Sequence, residues 1–134
     1  NTLKIISHKT AKIETVKTIG QIVAGSAIYM FSDSIKEVDH KSKWYVLLVT
    51  GDSMQEAGIL KGDFALFEAT SQINNGDIVA VLLENGATTL KYYFDEGENI
   101  RLQPANPLYP PIFIKREDCR IQGKFIVVVR KSNK

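Results

Sequence analysis

Cysteine is all but missing from this 134-residue chain: Cys119 stands alone, and the only histidines, His8 and His40, lie 32 positions apart. A single thiol excludes an internal disulfide framework and any zinc site built on two or more cysteines, and two isolated imidazoles do not make a structural metal centre. No metal and no cofactor is expected, and the compartment implied is a reducing one, the cytoplasm. Long apolar runs are missing too. Runs such as 125–129 fall far below the roughly 20 residues that span a bilayer, so no membrane association is expected. Nor is there an excess of one charge: 17 Lys+Arg against 15 Asp+Glu leave +2, too little to argue for nucleic-acid binding by this segment itself. Proline is rare outside one place. Pro104, Pro107, Pro110 and Pro111 fall within eight residues and mark a stiff, irregular loop.

What is present suits one ordinary globular domain, with 44% hydrophobic and 24% charged residues. The chain opens with Asn1 and not Met, which raises the expectation of a longer protein whose first domain is absent. Residues 1–15 carry Lys4, Lys9 and Lys12 among Ser and Thr with no sustained period, and read as a linker or disordered arm. Residues 16–43 form a connection. Its apolar, small-residue first half suits an extended segment with a flexible point at Ala24-Gly25, and its second half is polar. The main body, 44–134, reads as short strands at 44–50, 64–67, 78–83, 88–94, 100–103, 112–114 and 124–130, rich in Val, Ile, Tyr and Phe and bounded by Gly, Asn, Asp or Pro. Asn85-Gly86 marks a hairpin, and Asn75-Gly76-Asp77 and Glu96-Gly97 mark further turns. One short helix is expected at about 53–58, ended by Gly58. The sum is a mostly β, barrel-like antiparallel domain.

Two features could carry chemistry. In Thr50-Gly51-Asp52-Ser53-Met54 a strand stops at a glycine and a serine opens a short helix, exposing a hydroxyl beside unpaired backbone N–H groups that could stabilise an oxyanion. The plainer reading is that Ser53 or Asp52 caps that helix. The second feature is Lys91. Strand alternation puts it on one face with Thr89 and Tyr93, while Leu90, Tyr92 and Phe94 face the other way. A lysine on a polar face is ordinarily solvated. No histidine lies near a candidate nucleophile, however, so if Ser53 is catalytic a lysine must serve as its base.

Gly51-Asp52-Ser53-Met54, followed by Ala57-Gly58-Ile59, Gly62-Asp63, Gly76-Asp77-Ile78-Val79, Thr89-Leu90-Lys91, Leu102-Gln103-Pro104-Ala105-Asn106-Pro107 and Gly123-Lys124, resembles the self-cleaving domain of LexA-type repressors. That group includes UmuD proteins and phage repressors and uses a Ser-Lys dyad. One Gly-Asp-Ser-Met would be weak evidence; this many motifs in order, from about residue 20 to 130, are specific. The resemblance implies a fold like that of LexA and signal peptidases, with Ser53 as nucleophile, Lys91 as general base and the Ser53 and Met54 N–H groups as oxyanion donors. It implies that the bond cut is Ala24-Gly25, presented by Ile22 and Val23. It implies a homodimer, cleavage stimulated by a RecA filament on single-stranded DNA, and DNA contact only through an upstream domain. Two alternatives stay open: a UmuD-like accessory subunit of a translesion polymerase, and a dimerisation module that never cuts.

An unperturbed lysine near pKa 10.4 is neutral in only about one molecule in a thousand at pH 7.4, so the base must be desolvated. Docking of Ile22-Val23-Ala24 over the site is one way to do so. Reach is no obstacle, because the 29 residues from Ala24 to Ser53 could span roughly 90 Å. Among the other residues, Met54, Trp44 and Tyr45 read as core, Asp52 and Asp63 as turn or cap residues, and Cys119 as an idle thiol. The stretch 125–129, with the loop at 107–111, reads as an apolar surface for self-association.

Overall fold

The computed structural model describes residues 3–7, 36–39 and 44–131, with side chains over 46–130. Ile22, Val23, Ala24 and Gly25, together with His8 and His40, lie outside the described residues. Among the described residues the architecture is a single nine-stranded sheet in which every pairing is antiparallel. The strands are β1 (Leu3–Ser7), β2 (Lys36–Asp39), β3 (Trp44–Leu48), β4 (Phe64–Glu68), β5 (Ile78–Leu82), β6 (Thr88–Asp95), β7 (Asn99–Gln103), β8 (Ile112–Lys115) and β9 (Arg120–Lys131). Their order across the sheet is β2-β3-β4-β9-β5-β6-β7-β8, and β1 also pairs with β9.

β9 organises the whole. Its first half pairs with β5, from Leu82↔Arg120 to Val79↔Lys124, and its later residues pair with β4 and with β1. Buried strands face apolar neighbours on both sides, so their sequences run without alternation. β5 shows this directly: Ile78 and Ala80 join one cluster with Leu47, Met54, Ile59, Phe67, Leu90 and Phe125, while Val79 and Val81 join a second with Ile100 and Leu102.

Three expectations need correction. Leu3–Ser7, read as part of a disordered arm, is a strand, because Ile5 and Ile6 fall in register with Val129 and Val128 of β9. The helix expected over 53–58 is a single 3-10 turn, Gln55–Ala57, closed by Gly58 at φ 81°. Its three residues cannot hold an α-helical ladder, and Gly58 takes the left-handed conformation that glycine adopts without strain. The stretch 125–129 offers no surface for association: Val127, Val128 and Val129 are 0% exposed, being enclosed within the sheet of their own chain. In the loop at 107–111, by contrast, Leu108 and Tyr109 are exposed.

Candidate active site

Ser53 lies in the connection from β3 to β4, and Lys91 lies mid-strand on β6 opposite Val79. Although 38 positions separate them, the Lys91 Nζ donates to Ser53 Oγ at 2.9 Å. The same amine donates to Thr89 Oγ1, two residues back on the same face of β6. Lys91 is only 5% exposed, and this burial pushes its pKa down from 10.5 to about 8. The solvated lysine that a polar strand face suggests is therefore not what the fold makes of it. Ser53 does not cap the adjoining turn either. Met54 occupies the N-cap position with no side-chain capping bond, which leaves the Ser53 hydroxyl to the lysine.

The loop around Ser53 is held from several directions. Ala105 N donates to Ser53 O at 2.8 Å, Glu56 N donates to Ala105 O at 2.8 Å, and Asn106 Nδ2 donates to Asp52 O at 2.9 Å. Tyr109 donates its phenol proton to the Asp52 carboxylate, which accounts for the upward shift of the Tyr109 pKa. Among the described residues, no acceptor takes the N–H of Ser53 or Met54. Ser53 opens onto a cleft of about 170 Å³ walled by Leu48–Gly51 on one side and Thr88–Leu90 on the other, with Met54 and Ile59 also lining it. Met54 is buried in the core, as expected of it.

Asp63 is a turn residue, and more. Its Oδ2 accepts from Leu60 N at 2.8 Å, and its two oxygens take the Arg130 fork at 2.7 and 2.8 Å. Arg130 also reaches Gly58 O at 2.9 Å, so β9 grips the end of the turn that follows Met54. Cys119 is half-buried, and burial pushes its thiol pKa up, away from nucleophile chemistry. Sequence reasoning gave Asn106 only a place in a motif, Tyr109 only a place in the loop at 107–111, and Arg130 only the end of a strand. For Asn106 a signal existed: an amide between Pro104 and Pro107 in an irregular loop has few local backbone partners. For Arg130, at the far end of the last strand, none did.

The profile of the Peptidase S24-like family matches residues 8–126. A LexA repressor from Clostridium perfringens strain 13 is 42% identical over 132 residues, covering 93% of this chain and 64% of the relative. A LexA repressor from Clostridium botulinum strain Okra is 40% identical over 135 residues, covering 94% of this chain and 66% of the relative. The chain thus spans just under two thirds of the length of these curated relatives. A family match over most of its residues, with relatives at this identity, places the chain in the Peptidase S24-like family.

Proposed function

We propose that this chain is the self-cleaving and dimerising part of a LexA-like repressor, a serine peptidase that cuts its own Ala24-Gly25 bond with Ser53 and Lys91. The observation that carries the reading is the 2.9 Å contact between a serine hydroxyl and a lysine amine that is 5% exposed. With a pKa of about 8, roughly one Lys91 in five is neutral at pH 7.4, against about one in a thousand for a solvated lysine. Burial alone supplies most of what a general base needs.

In the proposed reaction the neutral Lys91 Nζ takes the Ser53 proton as Oγ attacks the Ala24 carbonyl carbon. The oxyanion that forms is met by the N–H groups of Ser53 and Met54. Collapse breaks the bond to Gly25, whose nitrogen leaves with the proton held by Lys91, and the Ala24 acyl group stays on Ser53 as an ester. Water then attacks the ester, giving a proton to Lys91, which passes it to Ser53 Oγ as the acyl bond breaks and the Ala24 carboxyl is released. Docking of Ile22-Val23-Ala24 in the cleft would remove the remaining solvent and favour the neutral amine further. Thr89 holds the amine toward Ser53 throughout.

In the whole protein, cutting between an upstream DNA-binding module and this domain would lower avidity for a twofold operator. A RecA filament on single-stranded DNA would stimulate the cut by stabilising the docked segment, in a cytoplasmic setting. The test is mass spectrometry of the purified chain after incubation from pH 7 to 10. A single cut after Ala24 is expected, with a rate that rises through about pH 8 and levels above it, and with no cut in Ser53→Ala or Lys91→Met. A flat pH profile, or cleavage that survives Ser53→Ala, removes the dyad.

A further inference from the structure

Peptide planarity ties the oxyanion donors to two bonds made on the opposite side of the loop. The Asp52 carbonyl and the Ser53 N–H belong to one trans peptide unit, as do the Ser53 carbonyl and the Met54 N–H. In such a unit the two groups point in opposite directions. Asp52 O accepts from the Asn106 side-chain amide at 2.9 Å and, at 3.2 Å, from Gln55 N. Ser53 O accepts from Ala105 N at 2.8 Å. Both carbonyls are thus held toward the Pro104–Asn106 stretch, and both N–H groups are turned away from it, without an acceptor among the described residues.

We propose that Asn106 is a positioning residue for the oxyanion hole, fixing the direction of the Ser53 N–H through the Asp52 carbonyl that it holds. This rests on the reading of Ser53 as nucleophile. Asn106 is well built for the task. It is 9% exposed, and its Oδ1 accepts from Leu108 N at 2.9 Å, so the amide cannot turn over without breaking both bonds. No hydrogen bond joins its side chain to Ser53 Oγ or Lys91, so its influence on the rate runs through the peptide plane that it holds. Without it the Asp52 carbonyl keeps only the longer bond from Gln55, and the 52–53 peptide is free to rock. A donor that must be reoriented in each turnover contributes less than one already aimed at the developing charge.

The test uses Asn106→Asp, which keeps an acceptor for Leu108 N but has no proton for Asp52 O, and compares it with the unaltered chain. Autolysis should slow by about 10- to 100-fold, less than the roughly 100- to 1,000-fold that outright loss of one oxyanion donor costs. In Asn106→Ala, which adds no charge, the pH midpoint of the rate should stay where Lys91 puts it; in Asn106→Asp the new carboxylate itself favours the lysine cation and moves the midpoint up. Nitrogen-15 spectra at pH 6, where cleavage is slowest, should show the Ser53 amide displaced and exchanging faster with water, with the rest of the folded spectrum retained. An unchanged rate, an unchanged Ser53 amide or, in Asn106→Ala, a moved pH midpoint overturns the proposal. If Asn106→Asp does not fold, the same readings on Asn106→Ala decide, and loss of the folded spectrum in both makes Asn106 a stability residue only and overturns it. Failure of the dyad reading is separable: it appears as cleavage in Ser53→Ala, whereas the amide signal of Ser53 does not depend on catalysis.

Discussion

Lys91 carries a cost in folding that is also its use in the proposed chemistry. Its folded pKa of about 8 lies below the ordinary 10.5, so between those values the unfolded chain binds more protons than the folded one and stability rises with pH. Below about pH 8 the full penalty is present; above about 10.5 it is gone. Lys91→Met keeps the unbranched apolar stem, ending one atom short, and removes the charge. It should therefore raise the unfolding free energy at pH 7 by about 2 kcal/mol, after allowance for solvent screening of the shift. That gain should shrink steadily from pH 8 to 10, as read by urea unfolding at each pH, while autolysis is lost. A variant less stable than the unaltered chain at pH 7 would show that contacts of the amine outweigh its desolvation. Ser53 and Lys91 were both legible as residue types in motif. The burial of Lys91 was not, because Thr89, Lys91 and Tyr93 read as a polar strand face.

The strands of the body were visible as β-branched and aromatic runs between turn residues, and most boundaries fall within a residue or two of expectation. β9 is the exception. It begins at Arg120, although Arg120, Gln122 and Gly123 carry no strand pattern. The reason is a pair of register shifts: β5 pairs Ala80 with Gly123 and Val81 with Ile121, and β4 pairs Leu66 with Val127 and Phe67 with Phe125. Such bulges let one strand serve two partners, and they break the period that a sequence reader looks for. Gly123 is required there by space. A Cβ would lie 2.5 Å from Phe67 Cδ2 and 2.7 Å from the Glu68 carbonyl oxygen. Backbone cannot yield as a flexible side chain can, so Gly123→Ala should cost about 2 kcal/mol in urea unfolding. A cost near zero would mean that β4 and β9 separate easily at this point.

Across the whole molecule, β9 connects the core to the loop that bears Ser53. Asp63, 1% exposed, is held by Arg130, which also binds the Gly58 carbonyl and leaves 31% of its own side chain in solvent. Breaking such a pair from one side leaves a buried carboxylate without its cation, and this is the larger part of the cost. Arg130→Met should therefore lose about 2–4 kcal/mol, and Arg130→Lys, which keeps the charge but not the fork, should lose less. The double variant Asp63→Leu with Arg130→Met should recover part of the loss, and the cycle of unfolding free energies measures how much.

By itself the sequence determined the strand-rich class and the turn positions, and singled out Ser53 and Lys91 as the candidate pair, since each depends on local periodicity, on backbone conformations open to few residues, or on a motif in order. Only the tertiary structure decided that Lys91 is buried, that its amine meets Ser53 Oγ, that Asn106 and Arg130 brace the loop, and that Leu3–Ser7 is a strand. Those outcomes depend on which distant segments share space. Desolvation, the bulges at which one strand meets two partners, and hydrogen bonds spanning 38 to 72 positions are properties of the folded packing and leave no local pattern along the chain.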